Sequence, residues 1–107
     1  NMKYKRVIAV VAMLADKDII ATLAPMLSVV SNWYCASLNI PRGAKSSELA
    51  SAVSSSQQKV LEYDSVEIAY KYALEKAKQD DLVIVFGSFY TITDVLKIGL
   101  LPFPEKV

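Results

Sequence analysis

A lysine between two carboxylates, Met13-Leu14-Ala15-Asp16-Lys17-Asp18, follows directly on the apolar run Val7-Ile8-Ala9-Val10-Val11-Ala12. A buried strand there hands over to a helix, the kind of junction at which open α/β sheets bind ligands. Lys17 in that place can grip an anionic group, with support from the backbone N–H groups of the helix that follows. A second such junction is Val83-Ile84-Val85-Phe86-Gly87-Ser88-Phe89-Tyr90-Thr91. Here Ser88 can donate to a carboxylate, Gly87 permits close backbone approach, and Tyr90 can line a pocket. Arg42, in Pro41-Arg42-Gly43-Ala44, offers a further cation. Each has a plainer reading as well. Lys17 and Arg42 are also what solvated surface cations look like, Ser88 a local backbone partner, and Tyr90 rim packing.

The same composition excludes much other chemistry. There is no histidine and only one cysteine, Cys35, so a histidine-based zinc site, a Ser/His/Asp triad, a Cys/His dyad and an intrachain disulfide are all ruled out. Cys35 lacks a local cationic partner and reads as a small buried hydrophobe. No G-x-x-x-x-G-K-[ST] or G-x-G-x-x-G occurs, so the chain has no standard cradle for nucleotide phosphates. Twelve basic and eleven acidic residues leave a net charge of +1, with the lysines scattered, which points away from nucleic acid and membrane surfaces. No catalytic residue and no metal ligand set is evident.

At 107 residues, 53% of them hydrophobic, the chain is expected to form a single domain over 1–107. Short apolar runs alternate with helical stretches, the pattern of an α/β fold with a mainly parallel sheet of about four strands and helices on both faces. The first strand, Arg6 to Leu14, is apolar nearly throughout and should be central. Its apolar character and the acidic residues that follow read as a strand rather than a signal peptide, and the compartment as a reducing cytoplasm.

A first helix is expected from Asp18 to Val30, but Pro25 should kink it near Thr22 or split it into two shorter helices. The second strand spans Trp33 to Leu38, and the second helix Ser47 to Ser54 with Ser46 as N-cap. The third strand is placed near Lys59 to Tyr63. Asp64-Ser65-Val66-Glu67 then has the D-x-x-E form of a capping box. The helix after it carries an inner stripe of Val66, Ala69, Tyr70, Ala73, Leu74 and Ala77, and an outer Glu67–Lys71 pair. A fourth strand, Leu82 to Phe86, leads to a last helix capped by Thr91. If the strands run parallel, their carboxyl ends bring Asp16, Lys17, Asp18, Arg42, Asp64, Ser88 and Tyr90 to one edge.

Met13-Leu14-Ala15-Asp16-Lys17-Asp18, Trp33-Tyr34, Pro41-Arg42-Gly43-Ala44 and Gly87-Ser88-Phe89-Tyr90, in this order and spacing, resemble the C-terminal domain of bacterial folylpolyglutamate synthase/dihydrofolate synthases, members of the Mur ligase group. The likeness spans nearly the whole chain. It implies a Rossmann-like domain that supplies part of an amino-acid site in an ATP- and magnesium-dependent ligase of folate biosynthesis. In that chemistry a folate or dihydropteroate carboxylate becomes an acyl phosphate, and the amino group of L-glutamate displaces phosphate. The resemblance implies that Lys17 and Ser88 hold glutamate carboxylates, that Tyr90 lines the same pocket and that Arg42 supports its rim.

The family's central ATPase domain, with its phosphate loop, magnesium ligands and modified lysine, is absent from these residues. So is the Asp-Gly-Ala-His-Asn-Pro segment that opens the family's C-terminal domain, and the chain therefore resembles that domain truncated at its N-terminus. ATP and magnesium would be held mainly by the missing domain, and the fragment alone is expected to be inactive. Ala12 stands where related sequences often have Gly. The alternatives are a stand-alone receiver- or flavodoxin-like module and a sibling ligase acting on a cell-wall precursor. A receiver would want a lysine after its last strand, where Ser88 stands, and a flavodoxin-like protein a Ser/Thr-rich phosphate loop after its first strand, where Ala15-Asp16-Lys17-Asp18 stands.

Overall fold

The computed structural model describes residues 5–54 and 58–87. Four parallel strands, β1 (Arg6–Val11), β2 (Asn32–Ala36), β3 (Lys59–Tyr63) and β4 (Asp81–Phe86), lie in the order β3-β2-β1-β4. Between them run α1 (Ile19–Leu23), which passes into a 3-10 turn at Ala24–Met26, then α2 (Ser46–Ala52) and α3 (Val66–Lys76). The last helix expected from Thr91 onward lies outside the described residues.

β1 is central because it has to be buried twice. Successive side chains of a strand point to opposite faces. Val7, Ala9, Val11 and Met13 accordingly pack with Leu23 of α1 and with Leu49, Ala50 and Val53 on and just past α2, around Trp33 and Cys35. Ile8, Val10 and Ala12 pack on the other face with Tyr34 and with Val66, Ala69, Tyr70 and Ala73 of α3. The chain thus steps from β1 to β2 to β3 with its helices on one face, then returns past β1 to β4 with its helix on the other. Reversing both direction and face keeps the hand of every crossover the same. Strand order reverses at β1/β4, and that is the switch point of the sheet.

Local chemistry explains where the elements begin and end. Asp18 caps α1 by accepting from the Ala21 N–H, and Pro25 sits in the 3-10 turn, so the helix expected over 18–30 is two abutting pieces. α2 starts one residue earlier than expected. Ser46 is its first residue and is buried, and its N–H donates to Ser37 Oγ at the exit of β2 (2.8 Å), so Ser46 is not the cap. At α3 the cap is Ser65, whose Oγ accepts from the Ile68 N–H, rather than Asp64. The Glu67–Lys71 pair forms at 3.2 Å. Tyr63 stacks between Tyr34 and Tyr72, tying the end of β3 to α3.

At the opposite edge of the sheet, β1 and β4 are joined at their starts by charge. Arg6 donates through Nη2 (2.6 Å) and Nε to the Asp81 carboxylate, which also accepts from the Lys78 N–H. The Asp81 side chain is 3% exposed. The Arg6 guanidinium, with the Lys78 amide second, holds the Asp81 carboxyl below its ordinary value. A carboxyl depressed in the folded state stabilises the protein above its unfolded-state pKa, and loses that contribution as pH falls through the folded-state value. Asp81→Asn is therefore expected to melt below wild type at pH 7, with the gap closing on acidification below the ordinary carboxylate range. A gap in melting temperature that stays constant from pH 7 to pH 2.5 would remove the ion pair as its cause.

Candidate functional site

Among the described residues, the exits of β1 and β2 form one unit at the carboxyl edge of the sheet. The segment after β2 folds back across the mouth of β1 through an antiparallel bridge between Leu14 and Gly43. The Ala44 N–H donates to the Met13 carbonyl (2.8 Å) and the Ala15 N–H to the Arg42 carbonyl (2.7 Å). Within the same loop, the Leu38 N–H donates to the Ala44 carbonyl and the Gly43 N–H to the Ile40 carbonyl. Gly43 is required for this close approach, because a Cβ there would lie 1.8 Å from the Leu38 carbonyl oxygen. The exit of β3 joins on the far side, where Asn39 Nδ2 donates to the Asp64 carbonyl.

The exit of β4 meets the same mouth. Gly87 adopts φ +128°, and a Cβ on it would lie 2.2 Å from the Ala12 carbonyl oxygen. Glycine is thus demanded both by conformation and by contact with the end of β1, directly at the switch point. Ser88 and Tyr90 follow it in the chain and lie outside the described residues.

Lys17 and Arg42 both fall on this edge. Lys17 is exposed on the turn after β1 and flanks a shallow groove of about 290 Å³ between α1 and α2, with Asp18, Ile19, Ile20, Glu48 and Ser51. Among the described residues it has no ion-pair partner. The helix N-terminus expected to support it is short and partly engaged. α1 has only five residues, and its first-turn Ala21 and Thr22 amides are taken by Asp18. Arg42 is engaged through Nη2 with Asp16 Oδ2 at 2.5 Å. That pairing joins residues 26 apart in sequence, and no local pattern announces it.

Cys35 is fully buried, and burial, with Glu62 second, pushes its thiol up to about 12, so it stays protonated at neutral pH. Trp33 is core, packed edge-on to Phe86. Its buried Nε1–H has no acceptor among the described residues. Among those residues no group of three or more His, Cys, Asp or Glu is placed to hold a metal ion, and no helix is long and apolar enough to cross a membrane.

A family model for the Mur ligase, glutamate ligase domain, matches residues 1–89. The chain belongs to that family. The dihydrofolate synthase/folylpolyglutamate synthase of Escherichia coli (strain K12) is 44% identical over 96 residues, which are 90% of this chain and 22% of the relative. The ligase domain described here therefore spans about a fifth of the length of that relative. Among solved structures, E. coli FolC in complex with DHPP and ADP superposes with a TM-score of 0.83 at 44% identity, over 90% of this chain and 22% of that one. A bifunctional folylpolyglutamate synthase/dihydrofolate synthase with Mn, AMPPNP and L-glutamate bound gives a TM-score of 0.81 at 42% identity, over 90% of this chain and 23% of that one. Family membership sets aside the receiver- and flavodoxin-like alternatives, and the four-stranded parallel sheet with helices on both faces is the fold of these ligase domains.

Proposed function

We propose that this domain is the glutamate-binding C-terminal part of an ATP-dependent ligase that adds L-glutamate to dihydropteroate, to folates carrying one or more glutamates, or to both. The observation that carries the reading is the match to the glutamate ligase family over residues 1–89, together with 44% identity to a dihydrofolate synthase/folylpolyglutamate synthase. The geometry supports it. Lys17 and Arg42 stand on adjoining exit loops at the carboxyl edge, Gly87 brings the chain that continues into Ser88 and Tyr90 against the same strand end, and glutamate carries two carboxylates for such groups to hold.

The reaction is an acyl transfer. A folate or dihydropteroate carboxylate takes the γ-phosphoryl group of ATP to give an acyl phosphate and ADP. The glutamate amino group then attacks the acyl carbon, the amide C–N bond forms, and phosphate leaves with the C–O bond. This domain's share is to hold glutamate still while its nitrogen attacks. In this reading ATP and Mg²⁺ are held mainly by the rest of the enzyme, the sequence here carrying no phosphate loop. The reading places such an enzyme in the cytoplasm.

Two measurements test the reading. The full-length protein carrying this domain should release ADP in a reaction that needs both glutamate and a pteroate or folate acceptor, and absence of that dependence in an ATP-competent preparation would overturn the assignment. The isolated chain of 107 residues should fold yet neither hydrolyse ATP nor ligate glutamate. Glutamate-dependent ADP release by that fragment would show that the missing domain is not required.

A further inference from the structure

Resting on the reading of this edge as a glutamate site, we propose that Asp16 and Arg42 together receive the amino-acid head of the substrate, Arg42 its α-carboxylate and Asp16 its α-nitrogen, which makes Asp16 the residue that selects an amino acid over a plain dicarboxylate. An exposed ion pair by itself says little, because most contribute nothing specific. This one differs in how it is held. The Asp16 and Arg42 side chains are 56% and 69% exposed, yet they rise from backbone that is fixed on both sides. Hydrogen bonds from Ala15 to Arg42 and from Ala44 to Met13 clamp the two loops together, and the space beside Gly43 is closed by the Leu38 carbonyl. The pair is presented to solvent by a rigid frame.

Its chemistry fits one head group. The ammonium and carboxylate of an amino acid are attached to the same carbon, so their receptor must offer an acceptor and a forked donor side by side. Arg42 spends Nη2 on Asp16 Oδ2. A guanidinium carries five N–H donors, so most of the fork is left to meet a carboxylate, while the second oxygen of Asp16 remains to accept from nitrogen.

The charges also match in number. Lys17, Arg42 and Asp16 bring two positive charges and one negative to the loop edge, and L-glutamate brings two negative and one positive. Lys17 is thereby left for the side-chain carboxylate. The match is confined to these three residues, since Asp18, which also caps α1, and Glu48 add two carboxylates to the groove beside Lys17.

The test compares L-glutamate with glutarate, which has the same two carboxylates and no nitrogen, by KM and by competitive inhibition in the full-length protein. Asp16→Ala should raise the glutamate KM about tenfold or more, while leaving glutarate inhibition unchanged or stronger, so that discrimination between the two collapses. Arg42→Ala should weaken both. Asp16→Asn keeps the shape and removes the charge. It guards against misfolding in the alanine variant, and a thermal melt checks that it is folded. If the Asp16 variants weaken glutamate and glutarate equally, Asp16 acts only by holding Arg42, and the proposal is overturned. A glutamate KM within threefold of wild type also overturns it. Failure of the broader reading looks different, since the wild-type protein would then show no glutamate-dependent turnover at all.

Discussion

A Gly87→Ala variant is expected to lose about 2–6 kcal/mol of stability and to melt at least about 8 °C below wild type. Two costs add. A non-glycine residue held at φ +128° is strained, an effect of about 1–3 kcal/mol, and the new methyl must occupy space 2.2 Å from the Ala12 carbonyl oxygen. Overpacking of this kind costs roughly 1–3 kcal/mol more. The neighbour has little freedom to yield, because Ala12 is fully buried at the end of the central strand. For a domain of this size each kcal/mol moves the midpoint by about 4–8 °C. Relief of the clash would part the ends of β1 and β4, the two strands at the switch point, so glutamate affinity in the full-length protein should fall with stability. Thermal and urea unfolding of the variant measure the first effect. A midpoint within 3 °C of wild type would mean that neither the backbone angle nor the contact constrains this turn.

Features governed by local periodicity were legible in the sequence; those created by topology were not. The burial of β1 follows from an unbroken apolar run, and the inner stripe of α3 from its helical spacing, because each pattern is complete within one element. Pro25 announces a break by removing a donor, whichever way the chain turns afterwards. Caps were legible only to within a residue. Both Asp64 and Ser65 can accept at the start of α3, and the choice of Ser65 depends on backbone angles that the sequence does not display. At α2 the amide partner comes from Ser37, on the preceding strand exit. Arg6–Asp81 and Arg42–Asp16 join residues 75 and 26 apart. Nothing in either segment names its partner until strand order is known. The candidate site was half legible for the same reason: Lys17 is marked by its place after a buried strand, whereas the pairing of Asp16 with Arg42 emerges only when the β2 loop is laid across β1.

Lys17→Ala in the full-length protein is expected to raise the KM for glutamate roughly ten- to a hundredfold with little change for ATP. Lys17 has no ion-pair partner among the described residues, and it stands beside the Asp16–Arg42 pair, at the edge proposed to hold a glutamate carboxylate. A hydrogen bond to a charged group contributes about 1.5–3 kcal/mol, and loss of that much ground-state binding is read directly as KM. Ser88→Ala should act in the same direction but less, since a hydroxyl brings a hydrogen bond without a charge. The lysine effect should also shrink at high ionic strength, as an exposed cation's does, while a neutral donor's would not. Steady-state kinetics with glutamate and ATP varied separately distinguish the cases. An unchanged glutamate KM and kcat in both variants, or a defect confined to ATP, would return Lys17 and Ser88 to the ordinary surface of the domain.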